Sequence, residues 1–274
     1  MNSKERREII AESPISFNYL KRFNLAAGIL HLIQGALMLY LGLTLEWERD
    51  IYTLYINFNI ISISPPVLEV LPTPEIAFTI MYLGAILASF PLLSSLAHFL
   101  IAYPLNKQYD ENLKNGINPY RWYEYSISSS IMIVLICLLT GIWELWSLVM
   151  IFVLNATMVF FGLLMEKLNQ YTEKTDWSPF IYGCISGFTP WVILAAYFLS
   201  AISASGLEPP TFVYYIIGVY LVLFNIFAVN MVLQYRGIGP WKDYLYGERF
   251  YIILSFVAKT ALSWIIFVGI FAPF

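Results

Sequence analysis

The chain has 274 residues, of which 59% are hydrophobic and 12% charged, and its formal net charge is −3. Soluble domains carry about 25% charged residues, so a soluble globular fold is excluded. The small net charge gives no sign of a nucleic-acid partner. What remains is an all-α integral membrane protein, with one polytopic domain over about 23–274 and a charged N-terminal arm at about 1–22. Lys4 to Arg7 are not followed by a short apolar core with a cleavage site, so the start is not read as a secretory signal.

About 20 apolar residues cross a bilayer as a helix. Seven such segments are predicted, at about 23–46, 75–103, 120–142, 144–168, 179–203, 211–235 and 248–272. The loop at about 46–74 is the longest. Its run Tyr52-Thr53-Leu54-Tyr55-Ile56-Asn57-Phe58-Asn59-Ile60 alternates in part and is rich in aromatic and β-branched residues, which predicts a small β-hairpin in this first outer loop. Thr140-Gly141 and Glu144 supply the only break between the third and fourth spans, so that turn must be tight. Leu207-Glu208-Pro209-Pro210 and Gly237-Ile238-Gly239-Pro240 separate the last three spans. Cys137 and Cys184 fall inside apolar spans and read as small buried hydrophobes.

Loop cations set the expected orientation. Lys4, Arg6, Arg7, Lys21, Arg22, Lys107, Lys114, Arg121, Lys167, Lys174, Arg236, Lys242 and Arg249 share one side, against Arg49 on the other. The N-terminus is expected in the cytoplasm and the C-terminus outside, in a multi-pass protein of the cell membrane.

Away from the ends of the expected spans, four ionisable residues remain: His31, His98, Glu124 and Lys259. On a rise of about 1.5 Å per residue they lie roughly 7 to 17 Å below the cytoplasmic surface, with the outer half empty of such groups. Each has a bland reading: a packed histidine, a carboxylate at a helix start, a snorkelling lysine. Lys259, in Ser255-Phe256-Val257-Ala258-Lys259, is too deep to snorkel easily. It must pair with a carboxylate, lose its proton or form a Schiff base. Glu124 is the carboxylate at compatible depth, and no other interior carboxylate is expected. Ser255 precedes Lys259 by one turn, Ser128 follows Glu124 by one turn, and Ser94 precedes His98 by one turn. Ser129 and Ser130 continue the helix-3 run, and Asn155 and Asn225 read as interior amides of helices 4 and 6.

Several stretches resemble the heliorhodopsins. They are Ile29-Leu30-His31-Leu32-Ile33-Gln34, Arg121-Trp122-Tyr123-Glu124-Tyr125-Ser126-Ile127-Ser128-Ser129-Ser130, Asn155-Ala156-Thr157-Met158, Gly187-Phe188-Thr189-Pro190-Trp191, and Tyr246-Gly247-Glu248-Arg249 running into the Lys259 segment. The resemblance covers about residue 20 to the end, and that family shares the inverted orientation. It implies that Lys259 carries all-trans retinal covalently as a protonated Schiff base, with Glu124 as counterion. It places His31, His98, Ser94, Ser129 and Ser255 in a polar network near the Schiff base, to which Ser128 and Asn155 are added here, and Met158, Trp191 and Phe224 in the retinal pocket. It implies a light sensor with a slow photocycle and no net ion pumping, acting as a homodimer or through a cytoplasmic signalling partner. No metal site and no enzymatic activity are expected. A light-gated proton channel is the nearest rival. A transporter without chromophore and a zinc-dependent membrane hydrolase using His31, His98 and Glu124 are the other classes.

Overall fold

The structure, a computed structural model, describes residues 3–271. In chain order the elements are α1 (Ser3–Ala11), α2 (Phe17–Leu43), β1 (Arg49–Ile63), β2 (Pro66–Ile80), α3 (Leu83–Ala102), α4 (Asn106–Lys114), α5 (Pro119–Leu139), α6 (Leu145–Leu168), α7 (Ser178–Ser205), α8 (Thr211–Arg236), a 3₁₀ turn (Gly239–Lys242) and α9 (Tyr244–Phe271). Seven helices, α2, α3 and α5 to α9, are long and apolar enough to cross a membrane. The expected seven-helix membrane architecture is therefore present. The turn between α5 and α6 is tight, as its sequence required. Glu144 caps α6 by accepting from the backbone N–H groups of Trp146 (3.1 Å) and Ser147 (2.6 Å).

The hairpin is present but far larger than expected. Both strands have 15 residues, paired antiparallel from Arg49–Ile80 to Ile63–Pro66. β2 takes residues that were expected to open the second span, so α3 starts at Leu83. Pro72 and Pro74 explain the shift, because proline cannot continue a helix but is tolerated on an edge strand. At the first span the difference runs the other way. α2 starts at Phe17, where Ser16 Oγ accepts from the N–H of Tyr19 at 3.1 Å. Only the hairpin base is packed: Ile51 is fully buried and Tyr52 bridges to Glu144.

Two short helices lie at the opposite end of the bundle, the N-terminal face. α1 and α4 carry few apolar residues. Ile10, Tyr109 and Leu113 anchor them in a small cluster with Leu20, Ile101, Tyr244 and Leu245. The main core fills the half nearer the hairpin, from Met38, Leu87 and Phe90 to Leu262 and Ile266. α2 and α3 cross in direct backbone contact at Gly42 and Gly84, where a side chain on either would collide with the other's Cα.

Candidate functional site

Lys259 stands about four turns inside α9, whereas Glu124 is in the second turn of α5. Both helices start at the same face, and the long Lys259 side chain leans back towards it, which shortens the difference in depth. Lys259 Nζ donates to Glu124 Oε1 at 3.0 Å and to Ser255 Oγ, one turn back, at 2.7 Å. It also lies 4.9 Å from the centre of the Tyr125 ring. Ser94 Oγ donates to Glu124 Oε1 at 2.6 Å. Lys259 is 3% exposed and Glu124 9%, so this is a buried ion pair in which removal of either partner strands the other.

The two histidines stack beside the pair, 5.6 Å between ring centres and 13° from parallel. His31 packs edge-on against Phe256 at 5.2 Å, and neither of its buried ring nitrogens has a protein partner. His98 Nδ1 lies 2.8 Å from Asn24 Oδ1. The amide nitrogen of Asn24 donates to the carbonyl of Leu20 and to Tyr109 Oη. Asn24 therefore presents its oxygen to His98, which assigns the proton to Nδ1 and leaves Nε2 as the acceptor. His31, His98, Ser94, Glu124, Ser255 and Lys259 thus come together.

Other expected members stand apart. Asn155 Nδ2 donates to Ser129 Oγ at 2.8 Å and Ser130 Oγ at 3.1 Å, forming a separate polar tie between α5 and α6. Ser128 is fully buried but its hydroxyl has no protein partner. Trp191 and Phe224 meet edge-to-face at 5.8 Å, and Phe224 lies 6.2 Å from Tyr220, whose hydroxyl donates to the carbonyl of Ala258, next to Lys259. Met158 sits against Gly187, where any side chain would strike its sulfur. Two sequence expectations fail. Asn225 is exposed and bonds its own helix at the Leu221 carbonyl, and Cys184 is exposed while Cys137 is buried. The periodic apolar pattern of α7 and α8 did not reveal which face turned outward.

The larger correction is that Glu124 is not the only interior carboxylate. Glu166 and Glu248 are 1% and 2% exposed, and both bind Arg121, which is 5% exposed. Arg121 Nη2 donates to Glu166 Oε1 at 2.5 Å, and Nη1 donates to Glu248 Oε2. Glu166 accepts further bonds from Trp122 Nε1 (2.7 Å), the Asn118 N–H (2.9 Å) and Tyr244 Oη (3.1 Å). Glu248 accepts from Asn118 Nδ2 (2.6 Å) and Tyr109 Oη (3.2 Å). Burial, with the Glu248 carboxylate beside it, holds the Tyr109 hydroxyl well above the usual tyrosine range, so it stays a donor. All three charges lie near the ends of the expected spans, where a snorkelling side chain is the ordinary reading. The usable signal was that Arg121 sits one turn before Glu124 on α5.

A cavity of about 30 Å³ joins the two groups. Asn24, Ser94, His98, Arg121, Glu124 and Glu248 are among the residues that line it. It is large enough to hold a water, with these polar groups in its wall. Beyond Glu124 and Lys259, towards the hairpin, the described helices carry no Asp, Glu, Lys, Arg or His. Among the described residues no three His, Cys, Asp or Glu side chains stand close enough to hold a metal ion.

A comparison with curated proteins found no match. The family model described as Heliorhodopsin matches residues 20–271, nearly the whole chain. With seven membrane-length helices and a lysine paired to a carboxylate in their midst, the chain belongs to the heliorhodopsin family.

Proposed function

We propose that the protein is a photoreceptor in which Lys259 binds all-trans retinal covalently and Glu124 is the counterion. The family is one of retinal-binding rhodopsins. The observation that carries the residue assignment is the 3.0 Å contact between a buried amine and a buried carboxylate, with the Ser255 hydroxyl accepting from the amine and the Ser94 hydroxyl donating to the carboxylate. The amine condenses with the retinal aldehyde, losing one water, and the residues present fit such a group. Trp191, Phe224 and Tyr220 form an aromatic wall that reaches α9 beside Lys259, and Met158 adds a flexible apolar surface. Once bound, retinal supplies visible absorption and a light-driven isomerisation.

The chain's own groups do the rest. Glu124 holds the positive charge of the Lys259 nitrogen in a site of low dielectric, where separating the two is costly and a proton becomes easier to lose. Ser94 and Ser255 fix the geometry of the pair. A water-sized cavity lies beside them, and His98, which lines it, keeps Nε2 as an imidazole acceptor for the proton. No charged relay continues towards the hairpin, so the proton returns to where it came from. That fits a slow sensory cycle better than a pump. The loop cations support an N-terminus in the cytoplasm, and a second copy or a cytoplasmic partner would receive the signal.

The test is direct. Membranes supplied with all-trans retinal should acquire a visible band, and borohydride reduction should leave the added mass on the Lys259 peptide. Lys259→Ala should lose the band. A visible, hydroxylamine-sensitive band retained in that variant would refute the assignment.

A further inference from the structure

Arg6, on α1, is an unusual side chain for a short terminal helix. It is 2% exposed, with its guanidinium 4.5 Å over the Tyr235 ring, and its Nε and Nη1 meet no hydrogen-bond acceptor. Room for it is made by Gly116, at φ +67°, where a Cβ would lie 2.5 Å from Arg6 Cδ. The rest of α1 is polar, and Lys4, Glu5, Arg7 and Glu8 are exposed. A second anchor, Ile10, packs in one cluster with Tyr109 and Tyr244. Those are the tyrosines whose hydroxyls bind Glu248 and Glu166. Tyr235 makes the third link: its hydroxyl donates at 3.1 Å to the carbonyl of Met165, next to Glu166.

The charges explain why a buried arginine without a carboxylate partner among the described residues is tolerated. Arg121 is shared by Glu166 and Glu248, so the cluster has one negative charge in excess. Arg6, across Tyr235, supplies the balancing positive charge. Without that excess, Arg6 would be an uncompensated buried cation, and water would be the better place for it.

We propose that α1 is a charge-operated latch, with Arg6 as its sensing group, and that its release from the N-terminal face is the output of the photoreceptor. This rests on the reading of Lys259 as the chromophore site. The proton that leaves the Lys259 nitrogen enters the cavity shared by Glu124 and Glu248. Glu166 has four donors on its two oxygens, whereas Glu248 has three and lines the cavity. Glu248 is therefore the carboxylate of the cluster with room for a proton. A proton there leaves Arg121 and Glu166 as a neutral pair. Arg6 loses its counter-charge and withdraws, and α1, held otherwise by Ile10 and the Ser13–Asp243 hydrogen bond, withdraws with it. Return of the proton to Lys259 restores the excess charge and reseats the helix.

Spin labels at Glu8→Cys on α1 and Lys107→Cys on α4, both exposed, in a Cys184→Ser background, report the latch as a distance. In the dark the distance should be short and narrow. Illumination should lengthen it by about a helix diameter, roughly 10 Å, with recovery at the rate of the visible photocycle. Glu248→Gln, a neutral mimic of the protonated acid, should give the long distance in the dark, with or without retinal. Arg6→Gln should do the same and abolish the light response. A visible band with an unchanged distance under light overturns the latch. So does a short dark distance in both Glu248→Gln and Arg6→Gln. Absence of any visible band would instead sink the Lys259 reading, while the dark distances of the variants still decide the latch.

Discussion

Replacing Arg121 with Met tests the cluster that ties α4, α5, α6 and α9 together at the N-terminal face. The guanidinium is 5% exposed and holds Glu166 and Glu248, themselves 1% and 2% exposed. Methionine fills much of the volume but leaves two buried carboxylates facing each other without a cation. Breaking a buried pair by removing one partner costs about 3–5 kcal/mol. Arg121 also stacks 4.0 Å over Tyr251 and 4.7 Å over Trp122, which adds about 1 kcal/mol. The loss is thus expected at the upper end of that range, and it should be read from denaturant unfolding in mixed micelles in the dark. The decisive comparison is the double variant Arg121→Met with Glu248→Gln. Removing one of the stranded carboxylates relieves like-charge repulsion, so the double variant should be more stable than Arg121→Met alone. If the two losses simply add, Glu248 does not face Arg121 as a charge and the reasoning fails.

Three further outcomes are expected. Glu124→Gln should shift the visible band to the red while the Lys259 nitrogen is protonated, because the anion that stabilises the dark-state cation is gone; an unmoved band would place the counterion elsewhere. Illuminated vesicles should show no sustained, protonophore-sensitive pH change, and steady photocurrent at zero voltage would instead establish a pump. The third concerns Glu144. Burial raises its carboxyl, but hydrogen bonds from the Ser147 side chain and the Ser147 and Trp146 backbones outweigh this and hold it below the usual range. Its contribution is then fully present above the unfolded carboxylate value and is lost as pH falls through the lower folded one. Glu144→Ala should cost about 1 kcal/mol at neutral pH and less in acid, as shown by the difference in unfolding midpoint between the two conditions.

The sequence made the spans legible because seven apolar stretches of membrane length are a strong signal and Thr140-Gly141 breaks the only ambiguous pair. The Lys259–Glu124 pair was legible for the same physical reason: few charges are tolerated at that depth. Hydropathy could not show the hairpin's true length. Its outer strand residues, such as Ile60 and Ile63, are apolar yet exposed, so they look like membrane or core sequence. It could not show the Arg121 cluster either, since charges near span ends are ordinary one at a time and only the packing of α5, α6 and α9 reveals that they converge. The short helices α1 and α4 depend on Ile10, Tyr109 and Leu113, too few apolar positions to make a periodic pattern.

The crossing of α2 and α3 at Gly42 and Gly84 has a mechanical consequence. With backbone touching backbone, these two helices cannot slide or separate without opening a void, and further along the same seam Gly28 rests against His98. They behave as a stator. α7 and α8 are the opposite case, with only 17% and 22% of their apolar windows buried, and Pro190 interrupts the hydrogen-bond ladder of α7. Any rearrangement beside Lys259 therefore meets least resistance on the α7 and α8 side, whereas His31 on α2 and His98 on α3 belong to the rigid pair.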